Sequence, residues 1–436
     1  MPGSRVTPLE ADYPFEIIAH WVPVVPFREY PHAIIDEQQG LGLSVKQYVP
    51  RHSRPSGASG EPLTIVAAGG LGFIKELYEP LFAALLSRAD QAGVAIRAIW
   101  IADMFNVGQS AVANRANLGC DPSWLDHSRD LWSLIHHFRA DMPKPLVGLG
   151  HSMGCTQLVA LSAWHPTLFH SLAFIEPGLD VQYGRGITVP WSISTLKQGD
   201  CWASRAEAET GAVRLAGAQR WDPRVRTRLT HYGIYEIPPA QAQGAPWALT
   251  NPKDQIAALA SRLNKDRIGL GPGGLETVTL EQRQTIPDSD PDGNVNGQFY
   301  RHELKTTWDM LPKVRPWVLY INGGKSPFFG HPGTREQRLH LTGTGPGGNG
   351  GVRLGAVTQR LLEDGEHTMV FDKNMATVAE YVAVWLADES ARWMRGPKTA
   401  RETWQARPMD EKQTVGPDYM AALASQIKDW KRPSKM

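Results

Sequence analysis

Five consecutive residues, Gly150-His151-Ser152-Met153-Gly154, set a serine between two glycines. The run Pro145-Leu146-Val147-Gly148-Leu149 before them predicts a strand, and the residues from Cys155 onward, with Leu158 and Leu161, predict a helix. A serine at such a strand-to-helix turn is held on strained backbone, clear of the sheet, and small neighbours are required there. The positive end of the following helix favours negative charge close to the hydroxyl. The chemistry this serves is nucleophilic attack on an acyl carbonyl, with Ser152 as nucleophile.

A serine hydroxyl is a weak nucleophile until a histidine takes its proton, and that histidine needs an acid to hold its tautomer. On this kind of turn the chain order is Ser, acid, His. Among fourteen histidines, His367 stands in the polar stretch Glu363-Asp364-Gly365-Glu366-His367, after the last expected strand and before the final helix. His331, in Gly330-His331-Pro332, is its rival but precedes that strand. The strand Val318-Leu319-Tyr320-Ile321, a common station for the acid, is followed by Asn322-Gly323-Gly324-Lys325-Ser326 without a carboxylate. Leu172-Ala173-Phe174-Ile175 is followed directly by Glu176, which is the expected acid, with Asp180 as rival. For the developing oxyanion, the expected donors are the Met153 N–H and one amide of Gly69-Gly70-Leu71-Gly72-Phe73, with Phe73 favoured.

Positioning these residues takes a sheet. Short apolar runs at 16–19, 43–48, 63–68, 95–101, 145–149 and 172–175 alternate with helical patterns, among them 123–138, whose Leu131, Leu134, Ile135 and Phe138 share a face. The first two runs predict an early antiparallel pair. Strand–helix alternation builds a mostly parallel sheet covered on both faces, an α/β fold. The alternation stops after Glu176, and residues 177–312 read as an inserted, mainly helical cap with few strands. The sheet resumes in 313–430 with Val318–Ile321, a strand near Val352-Arg353-Leu354, and a helix from Thr377 to Ala387. Residues 1–176 and 313–430 are thus two halves of one core, and 431–436 form a tail.

Composition narrows the function further. A formal net charge of +1 over 436 residues offers no field for nucleic acid. No apolar run approaches the ~18 residues of a membrane span, and no secretory signal is evident. Cys120, Cys155 and Cys201 form no metal or disulfide pattern, and no metal or cofactor is expected. Gly343-Thr344-Gly345-Pro346-Gly347-Gly348 lacks the strand–helix setting of a dinucleotide site. Asp288-Ser289-Asp290 opens like a calcium loop but ends on Phe299 in place of glutamate. Asp126-His127-Ser128-Arg129-Asp130 has the composition of an acid/base cluster, but helix-start capping and ion pairing explain it equally well. The tail ends Ser434-Lys435-Met436, one apolar substitution from the peroxisomal Ser-Lys-Leu address.

Arg28-Glu29-Tyr30-Pro31-His32-Ala33, Val45-Lys46-Gln47-Tyr48, Lys75-Glu76-Leu77-Tyr78-Glu79-Pro80-Leu81, the Ser152 pentapeptide, Asp364-Gly365-Glu366-His367 and the Ser-Lys-Met end together resemble one branch of the α/β-hydrolases. That branch comprises fungal peroxisomal acyl-CoA hydrolases of natural-product pathways, with hydrolases of toxin biosynthesis beside them. The resemblance covers the core well and the cap poorly. It implies an α/β-hydrolase fold, a Ser152–His367–Glu176 triad with glutamate where the family usually carries aspartate, and hydrolysis of a bulky acyl-CoA thioester. Carboxylesterase, lactonase or acyltransferase chemistry on the same triad is the alternative, and a noncatalytic binding protein is the third reading. The resemblance also implies peroxisomal rather than cytoplasmic location, with an import receptor as partner for Ser434, Lys435 and Met436. A homodimer is an assembly the chain could form. Gly72, Trp191 and Arg224 are the candidate substrate contacts. Arg224 belongs to a cluster with Arg214, Arg220, Arg226 and Arg228 that could meet coenzyme A phosphates, and Trp191, Trp202 and Trp221 could line an acyl pocket.

Overall fold

The computed structural model describes residues 3–52, 60–180, 188–239, 242, 244–263, 299–327 and 331–430. The first part of the chain supplies strands β1 (Ser4–Val6), β2 (Phe15–Val24), β3 (Leu41–Pro50), β4 (Leu63–Ala68), β5 (Ile96–Ala102), β6 (Leu146–His151) and β7 (Ser171–Ile175). Helices α1 (Glu79–Gln91), α2 (Gly108–Asn114), α3 (Asp126–His137) and α4 (Met153–Trp164) are interleaved with them. The chain then runs through α5 (Thr188–Lys197), β8 (Cys201–Trp202), α6 (Arg205–Leu215), α7 (Pro223–Tyr232), β9 (Ile234–Glu236), β10 (Trp247–Leu249), α8 (Lys253–Ala260), β11 (Arg262–Leu263) and β12 (Phe299–Tyr300). It returns to the main sheet as β13 (Trp317–Gly323) and β14 (Val357–Leu362).

Nine strands form that sheet in the order β1-β2-β3-β5-β4-β6-β7-β13-β14. β2 and β3 pair antiparallel, as their patterns predict, and the neighbours from β5 to β14 run parallel. Buried side chains alternate between the two faces because strand side chains have a period of two. Ile65, Ala67, Val147, Leu149, Ala173, Ile175, Leu319 and Ile321 pack beneath α1 and the helix Met375–Arg395. Val66, Ala68, Leu146, Leu172, Phe174, Val318 and Tyr320 pack against α3 and α4 on the other face. The carboxyl ends of β4, β6, β7, β13 and β14 converge at one sheet edge, where a covered parallel sheet offers a crevice.

One expectation gains detail here and one fails. The residues between β7 and β13 include a three-stranded antiparallel sheet, β8-β10-β9, besides their helices. Its strands are two or three residues long, too short for periodicity to reveal. Val352–Leu354 is a 3₁₀ turn rather than a strand. Gly351 and Gly355 on either side have φ of 65° and 67°, a conformation no strand contains, and the last strand starts at Val357. The calcium-like segment at 288–293 and the terminal tripeptide lie outside the described residues.

Candidate active site

Ser152 occupies the turn between β6 and α4 with φ 53° and ψ −119°, a region that costs a non-glycine residue of order 1–3 kcal/mol. Surrounding backbone holds it there: its N–H donates to the Ile175 carbonyl at 3.0 Å, and its carbonyl accepts from Gly178 N–H at 2.9 Å. The flanking glycines are required by close approach. A Cβ on Gly154 would lie 2.1 Å from the Ala68 oxygen, and one on Gly150 would lie 2.9 Å from the Cys155 Cα.

His367 arrives from the loop after β14, and its Nε2 lies 2.9 Å from Ser152 Oγ. That loop is pinned to the end of β13, with Gly324 N–H donating to the Leu362 carbonyl at 2.8 Å and Lys325 N–H to the Gly365 carbonyl at 2.9 Å. On the other side of the ring, Nδ1 lies 3.2 Å from Glu176 Oε2. Glu176 follows β7 directly, is buried, and also has a positive φ of 47°. Its second oxygen, Oε1, accepts the Gly323 N–H at the end of β13. Burial pushes this carboxyl up, but His367 and the Gly323 amide offset that and hold it below the usual carboxylate range. The structure therefore brings Ser152, His367 and Glu176 into one hydrogen-bonded line. The rivals lie elsewhere in the cavity wall, where His331 Nδ1 accepts the Gly333 N–H and caps the helix Pro332–Leu341.

The oxyanion loop departs from expectation. Phe73 N–H donates to the Gly70 carbonyl at 3.2 Å and closes a turn, so it is not the open donor expected of it. Gly70 N–H donates to the Tyr78 hydroxyl at 2.7 Å. Leu71 N–H has no partner among the described residues, and Leu71 lines the cavity beside Ser152 and Met153. Asn251, between β10 and α8, steadies this loop by donating from Nδ2 to the Gly72 carbonyl at 2.7 Å.

Ser152 and His367 open into a mostly apolar cavity of about 700 Å³ between the sheet edge and helices α5 to α8. Gly72, Trp191 and Trp221 are in its wall, together with Trp124 and Ile256, which the sequence reading had not singled out. Trp202 instead packs against α6, so close that a Cβ on Gly211 would meet its ring at 2.4 Å. Arg224 is also elsewhere. It forms a two-pronged pair with Asp222, both bonds 3.0 Å, and is no part of the cavity wall. Arg228 of the same cluster is buried and bonded to Glu79 and Glu10, and Arg220 pairs with Glu366. Three of the five arginines are thus bonded to carboxylates, two of them through partners far away in sequence.

Two further residues at the site escaped the sequence reading. Arg338 is buried and donates to the Leu179 carbonyl at 3.1 Å and to Asn322 Oδ1 at 2.7 Å, fastening the segment after Glu176 to β13. His151, the neighbour of the nucleophile, faces Tyr78 and the backbone of His367. Among the described residues no group of histidine, cysteine and carboxylate side chains could hold a metal ion, and no helix is long and apolar enough to cross a membrane.

Comparison with known proteins decides the family. The chain is 35% identical over 408 residues to the type I acyl-CoA thioesterase mpaH′ of Penicillium brevicompactum, covering 89% of this chain and 91% of that one. Over 399 residues it is likewise 35% identical to mpaH of Penicillium roqueforti, with 87% and 89% covered. The chain belongs to this family of α/β-hydrolases. The hydrolase also superposes on the peroxisomal α/β-hydrolase Lpx1 of Saccharomyces cerevisiae with a TM-score of 0.60, at 16% identity and over 97% and 99% of the two chains. That likeness shows the α/β-hydrolase fold. No protein-family model matches the chain.

Proposed function

We propose that this hydrolase cleaves the thioester of a bulky acyl-coenzyme A through an acyl-enzyme on Ser152. The observation that carries the reading is the continuous bond line Glu176–His367–Ser152 opening onto a large apolar cavity. The thioesterase relatives support the choice of leaving group. His367 Nε2 takes the Ser152 proton as Oγ attacks the carbonyl, and Glu176 stabilises the imidazolium that forms. Met153 N–H, at the start of α4, and Leu71 N–H, in place of Phe73, receive the oxyanion. His367 then returns the proton to the departing thiolate. Water activated by the same ring releases the acid and restores Ser152.

The test is a panel of aromatic and branched acyl-CoA thioesters set beside simple esters and lactones of the same acids. Thioesters should be the best substrates by kcat/KM. A protein that turns over esters or lactones and leaves every thioester intact would be an esterase, and the reading would fall. Ser152→Ala should lower turnover by about 10⁴-fold or more and abolish labelling by a fluorophosphonate probe.

We also assign the chain to the peroxisome, on the terminal Ser434-Lys435-Met436 and the named location of its relative Lpx1. Deleting those three residues should leave turnover unchanged in vitro and move a fluorescent fusion from punctate organelles to the cytosol. An unchanged distribution refutes the address.

A further inference from the structure

His151 sits between Gly150 and Ser152, yet its side chain points away from the cavity into a closed space, with the residue only 2% exposed. Its Nε2 lies 3.0 Å from the carbonyl oxygen of His367, and its Nδ1 lies 2.9 Å from the Tyr78 hydroxyl. A carbonyl oxygen can only accept, so Nε2 carries the proton. Burial, with the His367 ring nearby, pushes the His151 imidazole down to about 3, so it is neutral and Nδ1 is an acceptor. Nδ1 therefore takes the Tyr78 O–H, and the Tyr78 oxygen in turn accepts the Gly70 N–H at 2.7 Å. Every donor and acceptor is matched, and only one direction of bonding satisfies the three links.

The ends of this chain are the two parts of the site that must keep a set separation. One end is the backbone of the loop that carries Leu71; the other is the backbone of His367. The middle residue is covalently bonded to the nucleophile. Packing reinforces the link: the Phe73 ring stacks on His151 with centroids 5.7 Å apart and planes 18° apart, and a Cβ on Gly70 would come within 3.1 Å of Ser152 Cβ and 3.2 Å of His151 Nδ1. The His151 ring lies 5.4 Å, centroid to centroid, from that of His367, and it is no part of the cavity wall.

We infer that His151 and Tyr78 are positioning residues that hold the oxyanion loop and His367 in register across Ser152. The inference rests on the triad reading above. It concerns geometry needed in the transition state, so replacing either residue should lower kcat while binding of the acyl group is kept.

The experiment compares His151→Phe, His151→Gln and Tyr78→Phe in the full chain, with kcat and KM measured separately on the best thioester of the panel. His151→Phe fills the space without either bond and should lower kcat by about 10²-fold, with KM changed less than about twofold. His151→Gln can accept from Tyr78 through Oε1 and donate to the His367 carbonyl through Nε2, and should recover most of that loss. Tyr78→Phe removes a single oxygen, should lower kcat in the same way, and serves as the test should His151→Phe fail to fold. The double variant should be no worse than the poorer single one, since both break one chain. Fluorophosphonate labelling rates should fall in step with kcat. Wild-type kcat in both phenylalanine variants, or a glutamine variant as impaired as His151→Phe, overturns the inference. Undiminished turnover by Ser152→Ala would instead overturn the triad reading.

Discussion

Two polar clusters lie within the same core, and they put similar residues to opposite uses. At the carboxyl ends of β6, β7 and β14, one serine, one histidine and one carboxylate form a line that ends at an open cavity. Behind α1, Glu79 accepts from Lys46 at 3.0 Å, from Tyr48 at 3.0 Å and from Arg228 at 2.9 Å, while Lys75 binds Asp103 at 2.7 Å and Glu76 at 2.9 Å. This second cluster is richer in charge and is closed. Its groups are bonded to one another inside the core and none of them lines the cavity, so it offers a substrate no access. It works as a rivet, because Arg228 comes from α7 in the inserted segment and Glu79 from the core. Reactivity here comes from placing a titratable ring at a cavity wall, and charge alone supplies only attachment.

Substitutions can break that contrast. The largest effect is expected from Glu176→Gln, which keeps shape and removes the charge that holds the His367 tautomer. Turnover should fall about 10³- to 10⁴-fold, with the urea unfolding midpoint nearly unchanged. Arg228→Ala should do the reverse. Leaving Glu79 buried beside an absent partner should destabilise the fold by about 3–5 kcal/mol in urea titrations, while kcat/KM of the folded protein stays within about threefold. A loss of stability in the first variant, or of turnover in the second, would erase the distinction between the clusters.

A smaller effect separates buried rings that are merely neutral from the ring that works. His127 on α3 is buried, and desolvation with the Arg28 charge lowers it from its ordinary 6.5 to about 3. A histidine lowered in the folded state contributes stability that is complete above pH 6.5 and is lost as pH falls toward 3. At pH 4.5 this site alone should have cost about 3 kcal/mol relative to pH 7. Thermal melts of His127→Leu between pH 7 and 4 should therefore show a shallower fall than wild type. An equal slope would remove His127 from the acid sensitivity of the fold.

What could be read in advance was what is local. The Ser152 turn, the Glu176 position after β7 and the loop around His367 each announce themselves within a few residues, and so do the long strands of the sheet. The failures share a different physics. The bond made by Phe73 N–H depends on how a loop closes, and residue type does not encode it. The partners of Arg228 are 149 and 218 residues away, so an arginine that looked free was already paired. The Tyr78–His151 bond spans 73 residues, and only the return of the sheet brings its ends together. Short strands such as β8 and β10 carry too few residues for any period to show.

The Gly323 amide, which donates to Glu176 Oε1, stands at the end of β13. The turn after β13 adds a side chain to the bonded line, because Ser326 also bonds the Glu176 carboxylate. Pro327, a few residues on, borders the cavity. Chemistry and selectivity therefore share one short turn. A change in the Lys325–Pro327 turn that suits a new acyl group also disturbs the carboxylate and the loop that hold His367, so acyl preference and turnover move together.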